Sequence, residues 1–164
     1  MTLDAVNRMD RETFVACLGW VFEHSPWVAD GAWGRRPFGS VEALHQEMVR
    51  EVAGAGTEQQ VALIRAHPDL GARVRMSAAS SGEQAGAGLD HLPHEEYEQM
   101  HRLNSAYREK FGFPFIYAVK GSTRQDILSA LERRLSNDPA AERAMALAQI
   151  YRIAQIRLEE TLHA

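Results

Sequence analysis

Apolar residues recur three and four positions apart along almost the whole chain, the spacing that gathers side chains on one face of an α-helix. Asp10 suits a helix N-cap, and Phe14, Leu18, Val21 and Phe22 line one face behind it. Ser25-Pro26 reads as a cap followed by proline at the first helical position, with Trp27, Val28 and Trp33 turned into the core. Ser40 caps a third helix with Val41, Leu44, Met48 and Val52 inward, and Gly54 and Gly56 end it. Thr57 and Gln60 have the form of a capping box. Val61 and Ile64 are that helix's apolar side, and Pro68 stops it because the residue before proline avoids helical dihedrals. A less regular stretch is expected from about Asp69 to Ser80, where Ser80 and Glu83 repeat the capping-box form. Leu92-Pro93 opens a longer helix carrying Tyr97, Met100, Leu103 and Tyr107. Ser122 and Gln125 start another, with Ile127, Leu128, Leu131 and Leu135 inward. Asp138-Pro139 begins the last, with Met145, Ala148, Ile153 and Ile156 inward and the stripe continuing towards Leu162.

One run breaks this period. Phe111-Gly112-Phe113-Pro114-Phe115-Ile116 is strand-like, but Pro114 and the lack of a partner run argue for a buried extended loop. The pattern therefore predicts an all-α fold: a single-domain bundle of about eight helices over residues 1–164, with one buried extended loop.

Composition narrows the class. The chain has 164 residues, 45% of them apolar and 24% charged, enough for one core in one globular domain. A formal net charge of -4 gives no pull towards nucleic acid or an anionic membrane. No apolar run approaches the roughly 20 residues that span a bilayer. The first residues lack the apolar core of a signal peptide, and the last match no peroxisomal or retention tag. The single cysteine, Cys17, forms no intrachain disulfide and fits a reducing compartment. These features point to the cytoplasm. Cys17, with no histidine or lysine beside it in sequence, reads as a small core residue.

Four places carry candidate chemistry. His67 stands at a helix end just before Pro68, where the helix C-terminus favours its protonated form. An acid/base residue and a histidine capping the last carbonyls are both open readings there. Ser80 to Leu89 (SSGEQAGAGL) reads either as an ordinary helix start or as a ligand site using free amides at a helix N-terminus. Gly86 and Gly88 suggest a close approach by a ligand or another helix, and no dinucleotide fingerprint is present. The buried loop through Phe115 and Ile116 needs partners for its amides, which core groups or a ligand could supply. Arg157 falls on or near the apolar stripe of the last helix, so its guanidinium needs a substrate carboxylate, an internal salt bridge or a path to water. His91, His94, Glu95 and His101 match no zinc spacing, and solvated positions are expected for them.

In this order, AHPDLG (Ala66 to Gly71), SxxEQAGAGL (Ser80 to Leu89) and LNxxYxxxFGFPFI (Leu103 to Ile116) resemble the 2-oxo-4-hydroxy-4-carboxy-5-ureidoimidazoline (OHCU) decarboxylase family. HSPWVADGAW (His24 to Trp33), RPF (Arg36 to Phe38) and the closing IxxxRL (Ile153 to Leu158) fit too, so the likeness spans nearly the whole chain. The resemblance implies an all-α, usually dimeric enzyme with neither metal nor organic cofactor. It implies decarboxylation of the last unstable intermediate between urate and allantoin, giving the S enantiomer. On this resemblance His67 is the catalytic histidine, Glu83 its catalytic companion, and Pro68 shapes the pocket. Ser80 and Gln84, with Glu83, hold the ureido group and ring. The Phe115–Ile116 backbone adds hydrogen bonds, and Arg157 meets the substrate's polar end. The stretch between His67 and Ser80 looks shorter than in animal members, which bears on pocket shape from Gly71 to Met76. Two rivals from other classes are a non-catalytic helical interaction module and a metal-dependent hydrolase using His91, His94 and His101. Exposed aromatic residues between 27 and 38 are the first candidates for a dimer interface.

Overall fold

A computed structural model describes residues 1–72 and 75–163. Nine α-helices occur among the described residues: α1 (Leu3–Arg8), α2 (Arg11–Leu18), α3 (Trp27–Ala32), α4 (Val41–Ala53), α5 (Thr57–Arg65), α6 (Ala78–Gly86), α7 (His94–Phe111), α8 (Arg124–Arg134) and α9 (Pro139–Thr161). The fold is all-α, and no strand occurs among the described residues. A lone parallel bridge joins Thr2 and His163. Residues 113–116 form the expected buried extended loop. The helix count exceeds the expectation because α1 was not foreseen; Thr2 caps it by accepting from the Ala5 N–H at 3.1 Å.

Contacts divide the chain into two compact units, residues 1–66 with 150–164, and residues 67–149. The first has α1 to α5 and the later part of α9. Its core includes Val6, Phe14, Leu18, Phe22, Val28, Leu44, Met48, Val52 and Ile64, all 1% exposed or less. Asp10 and Ser40 cap α2 and α4 as the sequence predicts, accepting from Thr13 N–H (2.8 Å) and Ala43 N–H (3.0 Å). The second unit has α6 to α8 and the start of α9. Its core gathers Met100, Tyr107, Phe115, Ile127 and Leu131.

Several expected caps are displaced. Gly56, not Thr57, is the N-cap of α5, and the Gln60 amide donates instead to the Val52 carbonyl at 2.9 Å. Pro26 is the N-cap of α3, while the Ser25 hydroxyl donates back to the Glu23 carbonyl at 2.9 Å. Thr123 with Asp126, rather than Ser122 with Gln125, forms a complete capping box on α8. The buried stripe of α9 is Ala146, Ile150, Ala154, Leu158 and Leu162, while Met145 and Ala148 are exposed and Ile153 and Ile156 half-buried. The five inner places stand four apart, and two of them go to alanines because little side chain fits there.

Candidate active site

His67 follows directly on Ala66, the C-cap of α5, so Pro68 ends the helix where the sequence places the end. The residue is buried, at 7% exposure. The segment after it is gripped from α7 at two points one helical turn apart. The Asn104 amide donates to the Leu70 carbonyl at 2.9 Å, and Arg108 donates to the Asp69 carboxylate at 2.9 Å. Gly71 has a φ of +74°, a conformation glycine adopts without strain. Of the irregular stretch expected from Asp69 to Ser80, residues 73 and 74 lie outside the described residues.

Helix α6 begins earlier than the sequence suggests. Ser77 is its N-cap, accepting from the Ser80 N–H at 3.1 Å, so Ser80 and Glu83 are not a capping box. Ser80, Glu83 and Gln84 instead stand at helical spacings of three and four, on one face of the helix. Ser80 and Gln84 are buried and Glu83 is half-buried. A Cβ on Gly86 would meet nothing within 4 Å, and Gly88, at φ +78°, turns the chain out of the helix. No other helix among the described residues therefore packs closely on Gly86.

A cavity of about 450 Å³ is lined from α6 by Ser81 and Gln84. Gly71, Ser81, Gln84, Asp90 and Tyr97 give its wall polar groups, and Met76, Leu89 and Leu92 give it apolar ones. Among its described lining residues, Gln84 is the one that the sequence assigned to the substrate. The Gly71 N–H donates to Gln84 Oε1 at 2.9 Å, which fixes the amide of that side chain.

The extended loop is held by a buried charge network that the sequence did not announce. Arg134 donates to the Ile116 carbonyl at 2.6 Å, pairs with Glu142 and lies 4.4 Å over the Phe115 ring. The Tyr107 hydroxyl donates to the same carboxylate at 2.6 Å. Burial, reinforced by Glu142, raises the Tyr107 pKa well above the usual phenol value, so the group stays a donor. Rings of Phe111, Phe113 and Phe115 surround Tyr107 at 4.5, 6.1 and 5.5 Å. Arg134 and Glu142 were missed because the break at Asn137-Asp138-Pro139 takes them out of any one helical period.

In the first unit, Arg157 is 3% exposed and donates to Glu23 Oε2 at 3.2 Å. Its other amino group donates to the carbonyls of Trp20 and Val21, at 3.3 Å each. Of the readings open from sequence, the internal ion pair is present. Glu23, 2% exposed, is the anion that sequence reasoning did not identify. His91, His94 and His101 are exposed, and no group of three or more metal-capable side chains occurs among the described residues.

A family model described as OHCU decarboxylase matches residues 7–159. The chain belongs to the OHCU decarboxylase family. It is 48% identical over 160 residues to the 2-oxo-4-hydroxy-4-carboxy-5-ureidoimidazoline decarboxylase of Haloferax volcanii, covering 98% of this chain and 95% of that one. It is 46% identical over 161 residues to the uric acid degradation bifunctional protein PucL of Bacillus subtilis, covering 98% of this chain and 33% of that protein. Among solved structures, an (S)-allantoin synthase matches with a TM-score of 0.82 and 29% identity, over 99% of this chain and 54% of that one. An OHCU decarboxylase solved in the presence of (S)-allantoin shares the fold, with a TM-score of 0.70 and 23% identity.

Proposed function

We propose that this protein removes carbon dioxide from 2-oxo-4-hydroxy-4-carboxy-5-ureidoimidazoline and releases (S)-allantoin, as a carboxy-lyase of urate breakdown. Family membership over residues 7–159 is the observation that carries this reading. The nearly full-length identity to a decarboxylase of that name supports it.

The chemistry asks little of a cofactor. Decarboxylation needs an electron sink, which many enzymes borrow. This substrate has its own, a C=N bond beside the carbon bearing hydroxyl and carboxylate. As the bond to the carboxylate breaks, its electron pair moves into the ring and the C=N electrons move onto nitrogen, which takes a proton. The resulting enol-like intermediate gives up its hydroxyl proton and gains one on the carbon bearing the ureido group. Delivery of that proton from one side gives one enantiomer.

His67, buried and set by Pro68, moves the proton. Glu83 fixes the ring or ureido group from α6, beside Ser80 and Gln84. The Phe115–Ile116 backbone adds hydrogen bonds, with its loop steadied by Arg134 at the Ile116 carbonyl. Arg157, oriented by Glu23, meets the polar end of the substrate. Strong pairing with the ground-state carboxylate would slow its departure, so Arg157 serves binding and orientation more than bond breaking. The enzyme works without metal or organic cofactor, as a cytoplasmic homodimer.

The test uses substrate made fresh from urate with urate oxidase and the upstream hydrolase. Circular dichroism is followed with and without this protein, because spontaneous decay gives racemic allantoin. Faster decay ending in optically active (S)-allantoin is the expected result. An unchanged rate ending in racemate, from folded protein, would overturn the reading.

A further inference from the structure

The polar groups of one peptide unit, Leu70–Gly71, are taken by two side chains from different helices. The Leu70 carbonyl accepts from Asn104 Nδ2 of α7, and the Gly71 N–H donates to Gln84 Oε1 of α6, both at 2.9 Å. In a trans peptide these groups point in opposite directions, so the peptide lies between the two amides as a bridge. Each contact fixes the orientation of its side-chain amide. A flipped Asn104 would set oxygen against the Leu70 carbonyl, and a flipped Gln84 would set NH2 against the Gly71 N–H.

Asn104 is 4% exposed, and its Oδ1 has no hydrogen-bond partner among the described residues. A buried amide with an unsatisfied acceptor is costly, so what keeps it in place is its donor half. That donor acts on the Leu70 carbonyl. Hydrogen bonds in series polarise one another, and donation to the carbonyl strengthens the same peptide's N–H as a donor. Gln84 lines the cavity and is 5% exposed. With Oε1 turned to Gly71 and the amide orientation so fixed, Gln84 presents its Nε2 amino group on the other side, to a ligand.

We infer that Asn104 is a positioning residue which, through the Leu70–Gly71 peptide, holds Gln84 so that it presents N–H donors and thereby selects a carbonyl oxygen of the substrate. This rests on the substrate-binding role proposed above for Gln84. An oxygen of the ureido group or of the ring carbonyl meets that requirement. A ligand presenting N–H there faces two opposed donors and is rejected, since a site built for one polarity leaves buried groups unpaired with the other.

A double-mutant cycle on steady-state kinetics with freshly generated substrate tests the inference. Gln84→Ala is expected to raise KM about tenfold, the value of one good hydrogen bond to an uncharged group. Gln84→Glu keeps the acceptor for Gly71 but offers a second acceptor in place of the donor, and is expected to raise KM at least as far. Asn104→Leu is expected to raise KM about fivefold in the wild-type background and less than twofold beside Gln84→Ala, since it acts through Gln84. Asn104→Ala takes its place in the cycle if the leucine variant does not fold. Equal effects of the Asn104 change in both backgrounds would mean a structural role alone and overturn the inference, as would a Gln84→Glu variant that binds as well as wild type. A Gln84→Ala variant with unchanged KM would instead remove Gln84 from the substrate site, and with it the reading beneath.

Discussion

His67 and Gly71 show how much of the proposed chemistry depends on single backbone positions. His67 sits just beyond a helix C-terminus, before a proline that restricts its dihedrals. His67→Asn keeps a hydrogen-bonding side chain, though a smaller one, but cannot carry a proton near neutral pH. It is expected to abolish turnover while far-ultraviolet circular dichroism and melting stay close to wild type; near-normal turnover would remove the assignment. Gly71 carries a φ of +74°, and an added Cβ would come within 2.7 Å of Leu92 Cδ1. Forcing an L-residue into this region costs roughly 1–2 kcal/mol. Gly71→Ala should lower the melting temperature and raise KM together, because the strained peptide is the one that engages Gln84.

At the scale of the helix, caps and one buried pair set the expectations. Asp10 accepts from the Thr13 backbone, and Asp126 from Thr123; both have pKa values lowered from the ordinary 3.8, chiefly by those backbone N–H groups. A carboxyl whose folded pKa is depressed stabilises the fold above its unfolded value and loses that contribution as pH falls through the folded one. Wild type should therefore melt above the Asp10→Ala, Asp126→Ala double variant at pH 7, and the gap should narrow as pH falls below about 3.8. A gap that widened towards acid would contradict the sign. One buried pair, Arg134–Glu142, is 6% and 0% exposed at the side chains. Removing one partner leaves an uncompensated buried charge, so Glu142→Ala should cost about 3–5 kcal/mol in urea unfolding. Because Arg134 also holds the Ile116 carbonyl, the same variant should lose activity before it loses helix content.

For the whole molecule, the boundary between the two units at Gln149 and Ile150 falls inside the continuous helix α9. A helix propagates cooperatively, and fraying it in the middle sacrifices hydrogen bonds on both sides. We therefore expect the chain to unfold as one domain, with equal calorimetric and van't Hoff enthalpies. Two resolved transitions would show two domains. Sedimentation should give twice the chain mass if the proposed homodimer forms. Among the described residues the exposed aromatic is Trp20, at 40%, rather than those between 27 and 38, where Trp27 and Trp33 are half-buried and Phe38 is 4% exposed. No helix among the described residues is long and apolar enough to cross a membrane.

The sequence by itself determined the all-α class, the buried extended loop and the family, because periodicity, proline breaks and ordered motifs are local and survive without coordinates. It also located two caps correctly, since Asp10 and Ser40 act on N–H groups three residues away. It misplaced the cap of α6, because Ser77, Ser80 and Ser81 are chemically alike and only the backbone path decides which hydroxyl meets an N–H. The inner face of α9 escaped it as well: Ala146 and Ala154 are buried because space, not hydrophobicity, selects them. The partners of the polar core lay wholly beyond it. Glu23 reaches Arg157 across 134 residues and Asn104 reaches Leu70 across 34. Such pairs leave no period in the sequence, since what joins them is the desolvation that makes a buried charge or amide require a partner, and only the tertiary fold supplies it.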